Sequence, residues 1–195
     1  KAEIISADSR QVYKGLNVGT GKVTKKEMAG VPHHMLDVVS PKKVFTADDY
    51  VKEAEKILNT SIYRSILPIV VGGTGFYVDA LLGRVVLPNV APNLKLRARL
   101  EKKSVEELFQ MLKKKDPARA KTIEPHHKRR LIRALEIATY KLRQTTRARG
   151  LRAARPSLTL ASSSLVSPQY DILWLGLNPA PAKLKKNIHA RLLAR

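Results

Sequence analysis

The chain has 195 residues, with 37 Lys and Arg against 16 Asp and Glu, a formal net charge of +21 and no cysteine. The lack of cysteine excludes a disulfide framework, a thiol nucleophile and a cysteine-based zinc site. No apolar run approaches the ~20 residues that span a bilayer, and a basic excess this large points to a polyanion such as nucleic acid, with no membrane partner and the cytoplasm as the expected location.

The apolar run Ile4-Ile5 ends in Ser6-Ala7-Asp8-Ser9-Arg10-Gln11. In a parallel α/β sheet, ligands bind beyond the carboxyl ends of the strands, so this polar cluster is a candidate site; the alternative is a charged loop that closes a strand. His33–Val39 reads as a further extended segment. Thr46 and Asp49 stand three apart as a capping box, and Tyr50, Val51, Ala54, Ile57 and Leu58 recur at helical spacing, which predicts a helix from Ala47 to about Asn59. Pro68–Val71 is a short β-branched run, expected to lie parallel to Ile4–Ser6. It leads into Gly72-Gly73-Thr74-Gly75, where glycines permit close backbone approach, and then into a helix over Phe76–Leu82.

The Pro-rich stretch Leu87–Pro92 breaks the pattern and marks a boundary. Beyond it the reading is all-helical. Ser104 and Glu107 cap a helix that puts Val105, Leu108, Phe109 and Leu112 on one face, and Asp116-Pro117 opens the next segment. From His127 to Tyr140 two stripes separate by chemistry: Leu131, Ala134, Leu135 and Ala138 are apolar, whereas His126, Arg129, Arg130 and Arg133 are basic. A basic stripe left free of the core can meet phosphates, or it can simply be solvated. The adjacent pairs His33-His34 and His126-His127 form no chelate by themselves, and no residue is assigned as a metal ligand.

Five segments, Ser6–Gly15, Gly30–Asp37, Phe45–Tyr50, Val71–Tyr77 and Arg129–Glu136, together resemble the tRNA dimethylallyltransferases (tRNA isopentenyltransferases, the IPP transferase family), in that family's order and approximate spacing. The resemblance reaches from Ala2 to about Tyr140, and Tyr170–Leu177 looks like the strand by which the family's chain returns to its core domain. It implies a P-loop NTPase-like α/β core with a parallel sheet and an inserted all-helical domain. The expected division is a core over 1–87, a helical tRNA-binding insertion over 88–141, a basic linker over 142–169 and a return to the core over 170–195.

The implied activity is transfer of a dimethylallyl group from dimethylallyl diphosphate to N6 of an adenosine next to the tRNA anticodon. Such a reaction needs a proton acceptor at N6 and donors around the departing diphosphate. Asp8 fits the first role and Thr74 the second, with Gly72 and Gly73 beside Thr74 at the diphosphate. Asp8, Ser9, Arg10 and Gln11 would hold the base or adjoining backbone, and Arg129, Arg130, Leu131, Ile132 and Arg133 would meet the tRNA. Magnesium would bridge the diphosphate oxygens, and a monomer is expected.

Two departures accompany the resemblance. The family's strand, Walker-type loop and first helix precede the segment that matches Glu3, and its helices continue past the match to Arg195, so the chain reads as an internal fragment of doubtful catalytic competence. Between Leu142 and Gln169, a Thr-Gly-Lys turn is replaced by Arg143, Arg147, Arg149, Arg152 and Arg155 followed by Ser162-Ser163-Ser164. The alternatives are a prenyltransferase acting on free adenylate, a non-catalytic RNA-binding remnant and, with less support, a small-molecule P-loop kinase.

Overall fold

The computed structural model describes residues 1–152 and 171–193, with backbone alone for 146–152. Two compact units result, one from Lys1–Leu87 with the C-terminal residues from 171, the other from Pro88 onward.

The first unit is an α/β layer on a parallel three-stranded sheet. Strand β1 (Ala2–Ser6) lies between β2 (His33–His34) and β3 (Leu67–Val71), in the order β2-β1-β3. Ile4 aligns with Ile69 and Ser6 with Val71, so both strands end side by side. Helix α2 runs over Ala47–Tyr63, one turn past the expected end. Its Thr46 side chain accepts from the Asp49 N–H while Asp49 reaches back to the Thr46 backbone, which satisfies donors that helix starts leave orphaned. Its buried face, Tyr50, Ala54 and Leu58, packs with Ile5, Ala7, Met35, Tyr77 and Leu81; Tyr77 and Leu81 come from α3 (Gly75–Leu81), which follows β3. The Tyr50 and Tyr77 rings stack at 4.2 Å, and the fully buried Tyr50 hydroxyl has no hydrogen-bond partner among the described residues.

Two expectations need correction in this unit. The extended segment predicted from His33 to Val39 pairs as a strand only over His33–His34, because Met35 and Asp37 take left-handed backbone angles (φ 64° and 54°) and turn the chain; Val39 rejoins through a parallel bridge to Tyr13. Residues 171–177 show no strand pairing among the described residues, and Leu173, Leu175 and Leu177 are exposed. Tyr170 lies outside the described residues. Trp174 instead receives the Arg84 guanidinium over its ring, 4.2 Å from the centroid. A short helix, α1 (Lys25–Met28), and the C-terminal helix, α8 (Pro181–Leu193), complete the unit.

The second unit is helical: α4 (Leu94–Glu101), α5 (Val105–Lys115), α6 (Pro117–Thr122) and α7 (Lys128–Arg152). Ser104 and Glu107 form the expected capping box, and Asp116 caps α6 ahead of Pro117. Leu108, Leu112, Leu131 and Leu135 are at most 1% exposed and form the centre of its core, where each such side chain contributes about 1.5–3 kcal/mol. Helix α7 continues to Arg152, so the beginning of the expected linker from 142 is helical, and its remainder lies outside the described residues. No helix among the described residues is long and apolar enough to cross a membrane.

Candidate functional site

At the carboxyl end of β1, Asp8 folds its side chain onto the chain that follows. Its Oδ1 accepts the N–H groups of Arg10 (2.7 Å) and Gln11 (3.2 Å), while Oδ2 accepts nothing from the described residues. One oxygen therefore fixes the carboxylate and the other stays open to an incoming donor. Arg10 is exposed, and Asp8, Ser9 and Gln11 are half-buried.

Thr74, at the end of β3, reaches this loop directly. Its Oγ1 accepts the Ser9 N–H at 3.0 Å and faces Ser9 Oγ at 3.3 Å. The Ala7 N–H donates to the Val71 carbonyl (2.8 Å) and the Thr74 N–H to the Ala7 carbonyl (3.1 Å), so the parallel pairing continues past both strand ends. Gly72 makes this approach possible, since a Cβ there would lie 2.2 Å from the Ala7 carbonyl oxygen, whereas one on Gly73 would meet nothing within 4 Å. Thus Asp8, Ser9 and Thr74 are brought together, Gly72 is committed to packing, and Gly73 fronts open space.

Behind this loop lies a feature that the sequence does not reveal. Lys22 is only 4% exposed, and its Nζ donates to the Tyr13 carbonyl (2.7 Å) and to Asp37 Oδ1 (2.6 Å). The Gln11 carboxamide donates to the Thr20 carbonyl (3.1 Å), and the Gln11 carbonyl accepts from the Asp37 N–H (3.2 Å). A lysine in a glycine-rich loop gives no sequence signal of burial. Tyr77 lies close enough to feel the charges of Arg10 and Asp8, although burial is the main reason its phenol is pushed up.

In the helical unit, the side chains of the Arg129–Arg133 segment separate. Arg129 and Arg130 are exposed, with Arg130 paired to Glu124 at 3.1 Å. Leu131 and Ile132 are buried in the core, at 0% and 4% exposure, so their side chains hold the helix and present no surface to a ligand. Arg133 donates to Glu136 and to the Val90 carbonyl (2.9 Å). Glu136 is itself buried and also accepts from the Asn93 N–H (2.5 Å) and from Arg97 Nε (3.0 Å) and Nη2 (2.7 Å). Burial opposes its charge, but hydrogen bonds from Arg97, the Asn93 backbone and Arg133 outweigh this and hold the carboxyl down at about 2. Glu136 ends the Arg129–Glu136 segment, but its partner Arg97 lies outside every segment that carries the resemblance.

The histidine pairs divide too: His34 Nε2 meets Glu3 at 2.8 Å on neighbouring strands, His33 Nδ1 lies 2.8 Å from the Val31 carbonyl, and His126 and His127 are exposed at the start of α7. Among the described residues, no three His, Asp or Glu side chains converge on a point that could hold a metal.

Comparison with known proteins places the chain in one family. The family described as IPP transferase matches residues 11–195. A tRNA dimethylallyltransferase of Leuconostoc citreum is 38% identical over 189 residues, covering 97% of this chain and 58% of the relative. One from Caldanaerobacter subterraneus subsp. tengcongensis is 34% identical over 180 residues, 90% of this chain and 54% of the relative. The chain thus spans between half and three-fifths of the length of these relatives. Among solved structures, a tRNA isopentenylpyrophosphate transferase of Staphylococcus epidermidis aligns over 99% of this chain and 61% of its own, at 30% identity and a TM-score of 0.51. A eukaryotic dimethylallyltransferase described as acting on tRNA aligns over 70% of this chain and 35% of its own, at 31% identity and a TM-score of 0.61. With its parallel α/β unit and helical unit, the chain belongs to the IPP transferase family.

Proposed function

We propose that this chain provides the nucleophile-activating part of a transfer of a dimethylallyl group from dimethylallyl diphosphate to N6 of an adenosine next to the tRNA anticodon. The observation that carries this reading is Asp8: one carboxylate oxygen is held by two backbone donors and the other accepts nothing from the described residues, beside a hydroxyl delivered from the end of the neighbouring strand. An aromatic amine is a weak nucleophile until its proton has somewhere to go. As the N6 lone pair forms the new C–N bond and the C1–O bond to diphosphate breaks, Asp8 Oδ2 takes the N6 proton. Thr74 and the open backbone at Gly73 face the leaving oxygens, and Ser9, Arg10 and Gln11 hold the flipped base. Arg129 and Arg130, exposed on α7, meet backbone phosphates.

Magnesium, when bound to a diphosphate, neutralises its charge. Among the described residues, no three His, Asp or Glu side chains group into a cation site. The reading takes the protein to act as a monomer in the cytoplasm, where tRNA is found. The adenylate alternative is disfavoured by the exposed Arg129 and Arg130, which a free nucleotide would not need.

Single-turnover transfer of labelled prenyl groups, with tRNA and AMP as competing acceptors, tests the proposal. In protein that transfers to tRNA, Asp8→Asn is expected to slow the chemical step about 10²-fold with little change in tRNA affinity. A normal rate in that variant removes Asp8 from the role, and preferential labelling of AMP overturns the tRNA reading.

A further inference from the structure

Lys22 offers an inference beyond the reacting groups. Burying an ammonium is costly unless its donors are met, and a loop that needed only to close could do so with an apolar side chain. Here the buried Nζ adds a side-chain tie between two backbone stretches that also pair directly, Val39 N–H to the Val12 carbonyl and Lys14 N–H to the Val39 carbonyl: it donates to the Tyr13 carbonyl at 2.7 Å and to Asp37 Oδ1 at 2.6 Å. The same Asp37 Oδ1 accepts the Gly15 N–H at 3.3 Å, and the Asp37 backbone N–H donates to the Gln11 carbonyl at 3.2 Å. On the other side, the Lys22 N–H and the Thr20 hydroxyl both donate to the Asn17 carbonyl (3.0 and 3.3 Å), and the Thr20 carbonyl holds the Gln11 carboxamide nitrogen at 3.1 Å. The Gln11 carbonyl is thus held by Asp37, its N–H by Asp8 and its carboxamide by Thr20, in the turn that Lys22 closes.

We infer that Lys22 is a positioning residue for base selection: paired with Asp37, it fixes the orientation of the Gln11 carboxamide and so lets that group discriminate the acceptor base. Lys22 does not touch the base. The inference rests on the reading that the Asp8–Gln11 loop receives an adenosine. A carboxamide held by one N–H leaves its oxygen and its other N–H to face a base edge, the pairing by which Gln reads adenine. Released from Thr20, it would rotate and accept other edges.

The test measures binding of the full 195-residue chain to an anticodon stem-loop with adenosine at the reactive position and to the same stem-loop with uridine there. Wild type should prefer adenosine. Lys22→Met should reduce that preference at least about fivefold, the low end of what a bidentate base contact confers, while affinity for the uridine stem-loop changes less than about twofold. Lys22→Arg should restore much of the preference. Asp37→Asn, a milder change at a half-exposed side chain, should reproduce the loss even if Lys22→Met fails to fold, and the double variant should lose no more than either single one. An undiminished preference in folded Lys22→Met or in Asp37→Asn overturns the positioning role and leaves the acceptor-site reading standing. No preference in wild type overturns adenosine recognition by this loop, and the positioning role with it.

Discussion

Replacing Glu136 with Gln tests whether the helical unit is organised around one buried carboxylate. Each factor of ten in proton affinity is worth about 1.4 kcal/mol. Holding the Glu136 carboxyl at about 2 against an ordinary 4.5 therefore stores roughly 3 kcal/mol in the charged, folded form. Because the folded value is the lower one, this contribution is complete above pH ~4.5 and disappears as pH falls toward ~2. Arg97 and Arg133 are each about one-third exposed and can rehydrate when the charge is removed, which places the cost of Glu136→Gln near the low end of the range for broken buried pairs, about 3 kcal/mol. Urea unfolding followed by far-UV circular dichroism, at neutral pH and at about pH 3, measures both effects. The single tryptophan, Trp174, reports the other unit and serves as an internal control. Glu106 and Glu107 are also held low, chiefly by backbone hydrogen bonds at the start of α5, so the decisive quantity is the difference between the two proteins. That difference should shrink as pH drops below about 4.5. Parallel curves over the whole range, or a neutral-pH cost under ~0.5 kcal/mol, would refute the reasoning.

Gly72→Ala should destabilise the first unit by about 2 kcal/mol or more, since its Cβ would overlap the Ala7 carbonyl; Gly73→Ala, with open space around it, should cost little, and Trp174 fluorescence in denaturant compares the two. Tyr50→Phe removes a buried hydroxyl that has no partner among the described residues and should raise stability by about 1 kcal/mol in the same assay. Arg129→Ala and Arg130→Ala should each lower the salt dependence of tRNA-fragment binding by about one unit of log–log slope. Arg133→Ala should instead lower the stability of the helical unit, because its guanidinium is engaged by Glu136 and Val90.

Local chemistry was legible in the sequence wherever cause and effect lie within one turn. Thr46 with Asp49, Ser104 with Glu107, and Asp116 before Pro117 each announced a helix start that the structure contains. The parallel pairing of β1 with β3 was legible because both are short β-branched runs that end in polar loops. Contacts set by distant partners were not. Neither Met35 nor Asp37 is a glycine, so no glycine marks the left-handed turn, and the partner of Asp37, Lys22, lies 15 residues away. Arg133 read as one more member of a basic stripe because its partners, Glu136 apart, are supplied by residues around Val90. The fate of Leu131 and Ile132 was half visible: the apolar spacing placed Leu131 inside, while the resemblance assigned the whole segment to the ligand.

The pairing of β1 with β3 also governs how the chain must assemble as it is made. The two strands are separated by 65 residues, so at ~5–20 residues per second β1 leaves the ribosome roughly 3–13 s before its main partner exists. During that interval α2 can wind, since its start signal is local, but Ile4 and Ile5 have only the two-residue β2 to pair with. The helical unit waits less, because its buried core residues lie within the shorter stretch from Leu100 to Leu135. A cell short of chaperone capacity should therefore lose this protein through association of nascent β1 edges, and slowing translation between Gly30 and Leu67 should lower the soluble yield more than slowing it after Pro88.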